Sequence, residues 1–144
     1  MNQQPKEIIT LGQLELRFLL DGDDTNNQMV VFEFLIPPGA KVPMAHYHVE
    51  VDELLYVLEG TLSSYINGQR IDVGTGGTVF VPRGAVHYHD NHTSQDVKTL
   101  CVLTPASIGP AYFRELRDML KAGGPPDPEV MSEIMLRHGL VPAV

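Results

Sequence analysis

Gly39-Ala-Lys-Val-Pro-Met-Ala-His46-Tyr-His48-Val-Glu-Val-Asp-Glu53, continued by Leu54-Leu-Tyr-Val-Leu-Glu-Gly60, is the stretch on which the reading of this chain turns. His46 and His48 stand two apart on what reads as extended backbone, so their imidazoles project to one face and converge. After a short turn, Glu53 opens a strand over 53–58 and can bring a carboxylate oxygen to the same point. A second stretch, Gly76-Gly-Thr-Val-Phe-Val-Pro82-Arg-Gly84-Ala-Val-His87-Tyr-His89-Asp-Asn91, places His87 just beyond a Pro-x-Gly turn that leads into another strand. Three ring nitrogens and one carboxylate oxygen can therefore meet from two separate segments.

Outward from these stretches, residues 11–103 form a succession of short β-rich runs separated by turn residues, the pattern of an antiparallel sandwich or barrel. Leu14, Leu16, Phe18 and Leu20 share a period-2 face, and a polar turn over Asp21 to Asn27 separates them from an apolar run, Met29 to Ile36, that Pro37-Pro38-Gly39 ends. Leu62 to Ile66 and Gln69 to Val73 flank Asn67-Gly68, which supplies the two positive-φ residues of a type I′ hairpin. Thr78 to Val81 and Val97 to Leu103 read as further buried strands. Beyond Pro105 the apolar period lengthens. Tyr112, Phe113, Leu116, Met119 and Leu120 recur at helical spacing between Pro110 and Gly123-Gly124, and Val130, Met131, Ile134 and Met135 do so between an Asp127-Pro128 start and Gly139. Both stripes are expected to be packing surfaces against the barrel or a second subunit. His138 falls in the last turn, where it would complement the helix dipole. The division expected is one domain over 1–144, with an N-terminal arm over 1–10, a β-barrel over 11–105 and a helical extension over 106–144.

Both histidine-bearing stretches resemble the two sequence motifs of the cupin superfamily. Gly39, His46, His48, Glu53 and Gly60 match the first, with six rather than five residues between Gly39 and His46, a loop insertion that leaves the ligands in place. Gly76, Pro82, Gly84, His87 and Asn91 match the second without departure. The resemblance implies an all-β fold, a double-stranded β-helix or jelly-roll barrel, here with two short C-terminal α-helices. It also implies one divalent transition metal held inside the barrel by His46, His48, Glu53 and His87. Burying these groups without a metal would leave polar atoms unsatisfied, at about 1–3 kcal/mol each. Imidazole and carboxylate suit Fe, Mn, Ni, Cu and Zn alike, so the donor set does not choose the ion.

Four protein ligands in an octahedral shell leave two adjacent positions for water, dioxygen or a bidentate substrate. With Glu53 ionised, a divalent ion leaves a site near +1, which favours an enolate, a carboxylate or a 1,2-dioxygenated ligand. The expectation is a metal-dependent oxidoreductase of the small quercetin dioxygenase-like cupin type acting on a small chelating molecule, with Glu53 as base and His89, two beyond His87, as a further acid or base. Isomerase or decarboxylase chemistry, or a non-catalytic binding or sensing module, are the alternatives on the same site. Glu50 and Asp52 are expected to be surface charges, Tyr47 and Tyr88 to face away from the ligands, His92 to lie in a loop, and Met44 to line the mouth or fill a gap. Cys101 is expected to be an inert core thiol.

Composition narrows the partners. A formal charge of −8 disfavours phosphate backbones and anionic membranes, so neither nucleic acid nor membrane is expected. One cysteine excludes an intrachain disulfide, and no apolar run reaches transmembrane length. The chain is expected to be cytoplasmic and to pair as a homodimer.

Overall fold

A computed structural model describes residues 4–40 and 44–143. Strands β1 (Glu7–Leu11), β2 (Leu14–Leu20), β3 (Val30–Ile36), β4 (His46–His48), β5 (Asp52–Glu59), β6 (Leu62–Ile66), β7 (Gln69–Val73), β8 (Thr78–Val81), β9 (His87–Asp90), β10 (Val97–Thr104) and β11 (Leu140–Pro142) form two antiparallel sheets. One runs β1-β2-β3-β10-β5-β8 and the other β11-β4-β9-β6-β7. They are the two halves of a jelly roll; the hydrogen-bonded ladder does not pass from one to the other. A one-turn helix α1 (Gly22–Thr25), capped by Asp21 and Asp24, fills the expected polar turn. Helices α2 (Pro110–Lys121) and α3 (Pro128–Arg137) follow the last long strand. Among the described residues no helix is long and apolar enough to cross a membrane.

The core follows from alternation. Val30, Phe32, Phe34 and Ile36 of β3 and Val97, Thr99, Cys101 and Leu103 of β10 are buried, while the residues between them are half-exposed. Each fully buried Leu, Val or Phe contributes about 1.5–3 kcal/mol. Strands β8 and β10, expected to be buried throughout, are buried on one face only, and Phe80 is 57% exposed. Leu20 departs from the face of Leu14, Leu16 and Phe18: the register against β3 shifts between Phe18 and Leu20, and the irregularity turns Leu20 outward.

Two boundaries differ from the sequence expectation. The N-terminal arm is a strand from Glu7, because Ile9 and Leu11 alternate inward and Gly12-Gln13 closes a tight hairpin onto β2. The helical extension ends in a strand. Leu140, Val141 and Pro142 pair with His48, Tyr47 and His46, so β11 forms the outer neighbour of the short strand that carries two of the candidate ligands.

Helix α2 starts with Pro at its first turn and docks through Phe113, whose ring lies 5.7 Å from Phe18 and 5.8 Å from Phe32. Arg114 holds it to β1 by donating to both oxygens of Glu7. Helix α3 is capped by Asp127 and buries Met131, Ile134 and Met135, while Val130 of the expected stripe faces solvent. His138 follows the helix and pairs with Glu115 of α2 at 2.6 Å rather than with helix carbonyls alone. The Asn67-Gly68 turn has the expected two positive φ angles, 49° and 81°.

Gly60, which ends the first histidine-bearing stretch, has φ +82°, and a Cβ there would stand 2.5 Å from the Asp96 carbonyl oxygen. Gly60→Ala is therefore expected to destabilise the fold by about 3 kcal/mol, from left-handed backbone strain plus a clash with main chain. Urea denaturation checks this, and an unchanged midpoint would refute it.

Candidate metal centre

His46 and His48 sit on β4, Glu53 on β5, and His87 and His89 on β9. His46 lies directly across the ladder from His87, and the three rings of His46, His48 and His87 have centroids 4.6–5.1 Å apart. Their ligand atoms lie within 4.8 Å of one another, and those of Glu53, His87 and His89 form a second such trio. The four residues expected to act together thus meet as two overlapping groups that share His87, with His89 added.

Hydrogen bonds decide which nitrogens face inward. His46 Nδ1 lies 2.9 Å from the Met44 carbonyl and His87 Nδ1 2.9 Å from the Ala85 carbonyl. A carbonyl only accepts, so each Nδ1 carries the proton and each Nε2 turns a lone pair to the centre. His87 Nε2 then faces Glu53 Oε2 at 3.5 Å, and His46 Nε2 faces His48 Nε2 at 3.2 Å. His48 Nε2 can donate to His46 Nε2 in one tautomer, and a divalent cation between the rings and Glu53 would satisfy all of these lone pairs together. Protons fill that role poorly, because each charged ring would press on the others and burial lowers the His46 pKa to about 4. His48 is shifted the same way, mainly by burial, and its Nδ1 is buried without a hydrogen-bond partner among the described residues. Burial works to raise the Glu53 pKa, yet the hydrogen bond from His89 and the neighbouring His87 outweigh it and hold the carboxyl below its usual range. The donor set fits a divalent ion: His/Glu side chains able to hold a metal are gathered at one buried point.

For the metal-free protein these shifts fix the sign of a pH effect. A histidine whose folded pKa lies below its unfolded value of 6.5 leaves the unfolded chain holding more protons in between, so stability rises with pH there. Melting temperature is expected to be level above about pH 7 and to fall as pH drops from about 6.5 toward 4. A melting profile flat across that window would contradict the assignment.

His89, expected as an acid or base, is fixed at both ends: its Nδ1 lies 2.9 Å from Ser64 Oγ and its Nε2 3.1 Å from Glu53 Oε2. Asp52, expected to be a surface charge, lies at the surface and accepts from the Arg83 backbone N–H at 2.9 Å and from its guanidinium, tying the Pro-x-Gly turn before His87 to the strand that carries Glu53. Asn91 is buried and donates to the Ile36 and Gln95 carbonyls, so the last residue of the second stretch is a loop brace. Glu50 is exposed. Tyr88 stacks on Tyr65 with centroids 4.3 Å apart, Tyr47 pairs with Val141, and His92 lies beyond β9 within reach of Tyr65 and Asp90. Met44 packs against the core at φ 66°, and residues 41–43, where the six-residue spacing falls, lie outside the described residues.

The centre opens into a cavity of about 80 Å³ whose other walls are mostly apolar, among them Phe32, Phe34, Leu103, Ile108 and Phe113. Cys101 is one of its lining residues, and burial raises the thiol pKa. The wall given by Tyr112, Phe113 and Leu116 was legible only as a helical stripe, with no sign that it faces a hollow, and Ile108, just before α2, had no reading in the sequence.

A family model for the cupin domain matches residues 32–103, half the chain. The chain belongs to the cupin superfamily. This cupin is 32% identical over 113 residues to quercetin 2,3-dioxygenase of Bacillus subtilis, an alignment covering 77% of this chain and 32% of that protein. Among solved structures it is similar to a sugar phosphate isomerase of the cupin superfamily from Silicibacter pomeroyi, with 29% identity, TM-score 0.58, and 65% and 60% of the two chains covered. It also shares its fold with a predicted oxalate decarboxylase of Thermotoga maritima, at 24% identity and TM-score 0.66 over 73% of this chain and 99% of that one. The cupin spans between 32% and 58% of the length of the curated relatives it matches.

Proposed function

We propose that this cupin is a mononuclear metal-dependent enzyme that takes a small, chelating organic substrate, with dioxygenase-like chemistry. The observation that supports this most directly is the donor cluster His46, His48, His87 and Glu53 on the wall of a mostly apolar cavity. A divalent ion there would supply Lewis acidity and open coordination positions. The likeness to quercetin 2,3-dioxygenase favours the oxidative version of that chemistry.

The chain's own residues have definite tasks in this reading. Glu53, the one carboxylate of the cluster, is the group placed to accept the proton of an incoming hydroxyl or enol. His89 keeps that carboxylate aimed, and Ser64 keeps His89 from rotating. The apolar walls exclude water from the reacting atoms. The same Glu53–His89 pair can move a proton between two carbons without oxygen, and the likeness to a sugar phosphate isomerase supports that second reading.

Elemental analysis of purified protein, followed by oxygen-uptake assays with flavonols, diketones and thiols, tests the proposal. One ion per chain and uptake that stops on chelation are expected. Turnover without oxygen consumption would move the assignment to isomerisation or decarboxylation, and tight binding with no turnover would make this a sensor.

A further inference from the structure

Tyr112 is the one phenol on the cavity wall. It lies in the first turn of α2, beyond the 32–103 match, and is 4% exposed. Its ring packs against Phe113 and His138, at 4.9 and 5.3 Å between centroids, and both contacts involve the ring. Its hydroxyl makes no hydrogen bond among the described residues and is not one of their fully enclosed unpartnered polar atoms, so its oxygen keeps surface that a bound molecule can meet. Burial raises the phenol pKa, so it stays protonated and can donate. Apart from the histidines and Glu53, the other lining side chains are apolar or the weakly polar Cys101, so Tyr112 is the strong neutral donor available to a molecule seated there.

We infer that Tyr112 positions the substrate by hydrogen-bonding its far end, so that α2 selects for flat, O,O-chelating molecules with a hydrogen-bond acceptor opposite the chelating oxygens. This rests on the metal-dependent reading above. The cavity has charge-bearing chemistry at the His/Glu cluster, aromatic walls at Phe32, Phe34 and Phe113, and Tyr112 among its lining residues. A ligand anchored at both ends is fixed in orientation as well as position, whereas one held by its chelating oxygens alone can pivot.

Zn²⁺ is a suitable probe ion because it has no redox chemistry with catechols. Wild-type and Tyr112→Phe proteins, each loaded with Zn²⁺, are titrated with 4-nitrocatechol, followed by its absorbance, and with 4-methylcatechol by competition. The variant is expected to bind 4-nitrocatechol about fivefold to tenfold more weakly and 4-methylcatechol within about twofold of wild type. Equal losses for both ligands, or none, overturn the assignment. Should Tyr112→Phe fail to fold, the wild type alone carries the test. Relative to their chelation of free Zn²⁺, 4-nitrocatechol should bind at least about threefold more tightly than 3-nitrocatechol, whose acceptor lies beside the chelating oxygens; equal relative affinities overturn it. A protein that takes up no Zn²⁺ fails at the metal reading and removes this inference with it. A protein that binds Zn²⁺ but neither catechol retains the metal centre and loses the role of Tyr112.

Discussion

His87→Ala is expected to purify without a stoichiometric metal ion and to bind added Zn²⁺ at least about a hundredfold more weakly than wild type. Loss of a supporting hydrogen-bond partner already costs metal affinity about 10- to 100-fold, and a direct donor exceeds that. His87 is the shared member of both donor trios, it is 1% exposed, and it is the cross-strand partner of His46. Its removal therefore separates the His46–His48 pair from Glu53. Replacing Glu53 by Gln removes the negative charge but leaves three imidazoles, so a smaller loss is expected. Competition against a chromophoric chelator measures both, with His92→Ala as the control that changes nothing. A His87→Ala protein holding one ion per chain at wild-type affinity would disprove the proposed centre.

The second large effect is expected from a place remote in sequence. Removing everything after Gly139 deletes β11, and with it the ladder against His46, Tyr47 and His48 and the Ala143 N–H donated to the Ala45 carbonyl at 2.8 Å. Leu140, 3% exposed and lining the cavity, goes too, and loss of a buried leucine side chain costs about 2–5 kcal/mol. Strand β4 has three residues, a single paired position with β9 and one further main-chain bond from the Gly84 N–H to the His48 carbonyl, so β11 supplies most of its ladder. The truncated protein is expected to melt lower and to lose Zn²⁺ affinity about 10- to 100-fold, as for other losses of ligand support. Leu140→Ala, which keeps the ladder, should lower the melting temperature while changing affinity far less. Calorimetry and chelator competition separate the two. Truncated protein with wild-type affinity would show that β11 does not hold the ligand strand.

What the sequence revealed of the centre was whatever local spacing governs. The two-residue interval of His46 and His48, the Pro82-Arg83-Gly84 turn before His87 and the Asn67-Gly68 hairpin each state their geometry within a few positions. The contact between His89 and Glu53 is of another kind. It joins β9 of one sheet to β5 of the other, so it depends on how the sheets face each other. The outward turn of Leu20 depends on a register shift against β3, which a period-2 count on one strand does not contain. Strand β11 is three residues long, too short for a periodic signal, and its partner lies most of the chain away. The stripe on α2 showed an apolar face and said nothing of whether that face meets side chains or a hollow. Asp52 shows the same limit: its partner, Arg83, lies across two strands, and a carboxylate flanking a ligand strand looks like any surface charge.

The edge position of β11 also bears on maturation. Synthesis runs from the N-terminus, so the segment bearing His46 and His48 emerges long before residues 140–142 exist to flank it. Until those residues emerge, that segment has one open side. The cofactor pool met once residues 140–142 have emerged, more than the one surrounding the shorter nascent chain, would then decide which ion becomes resident.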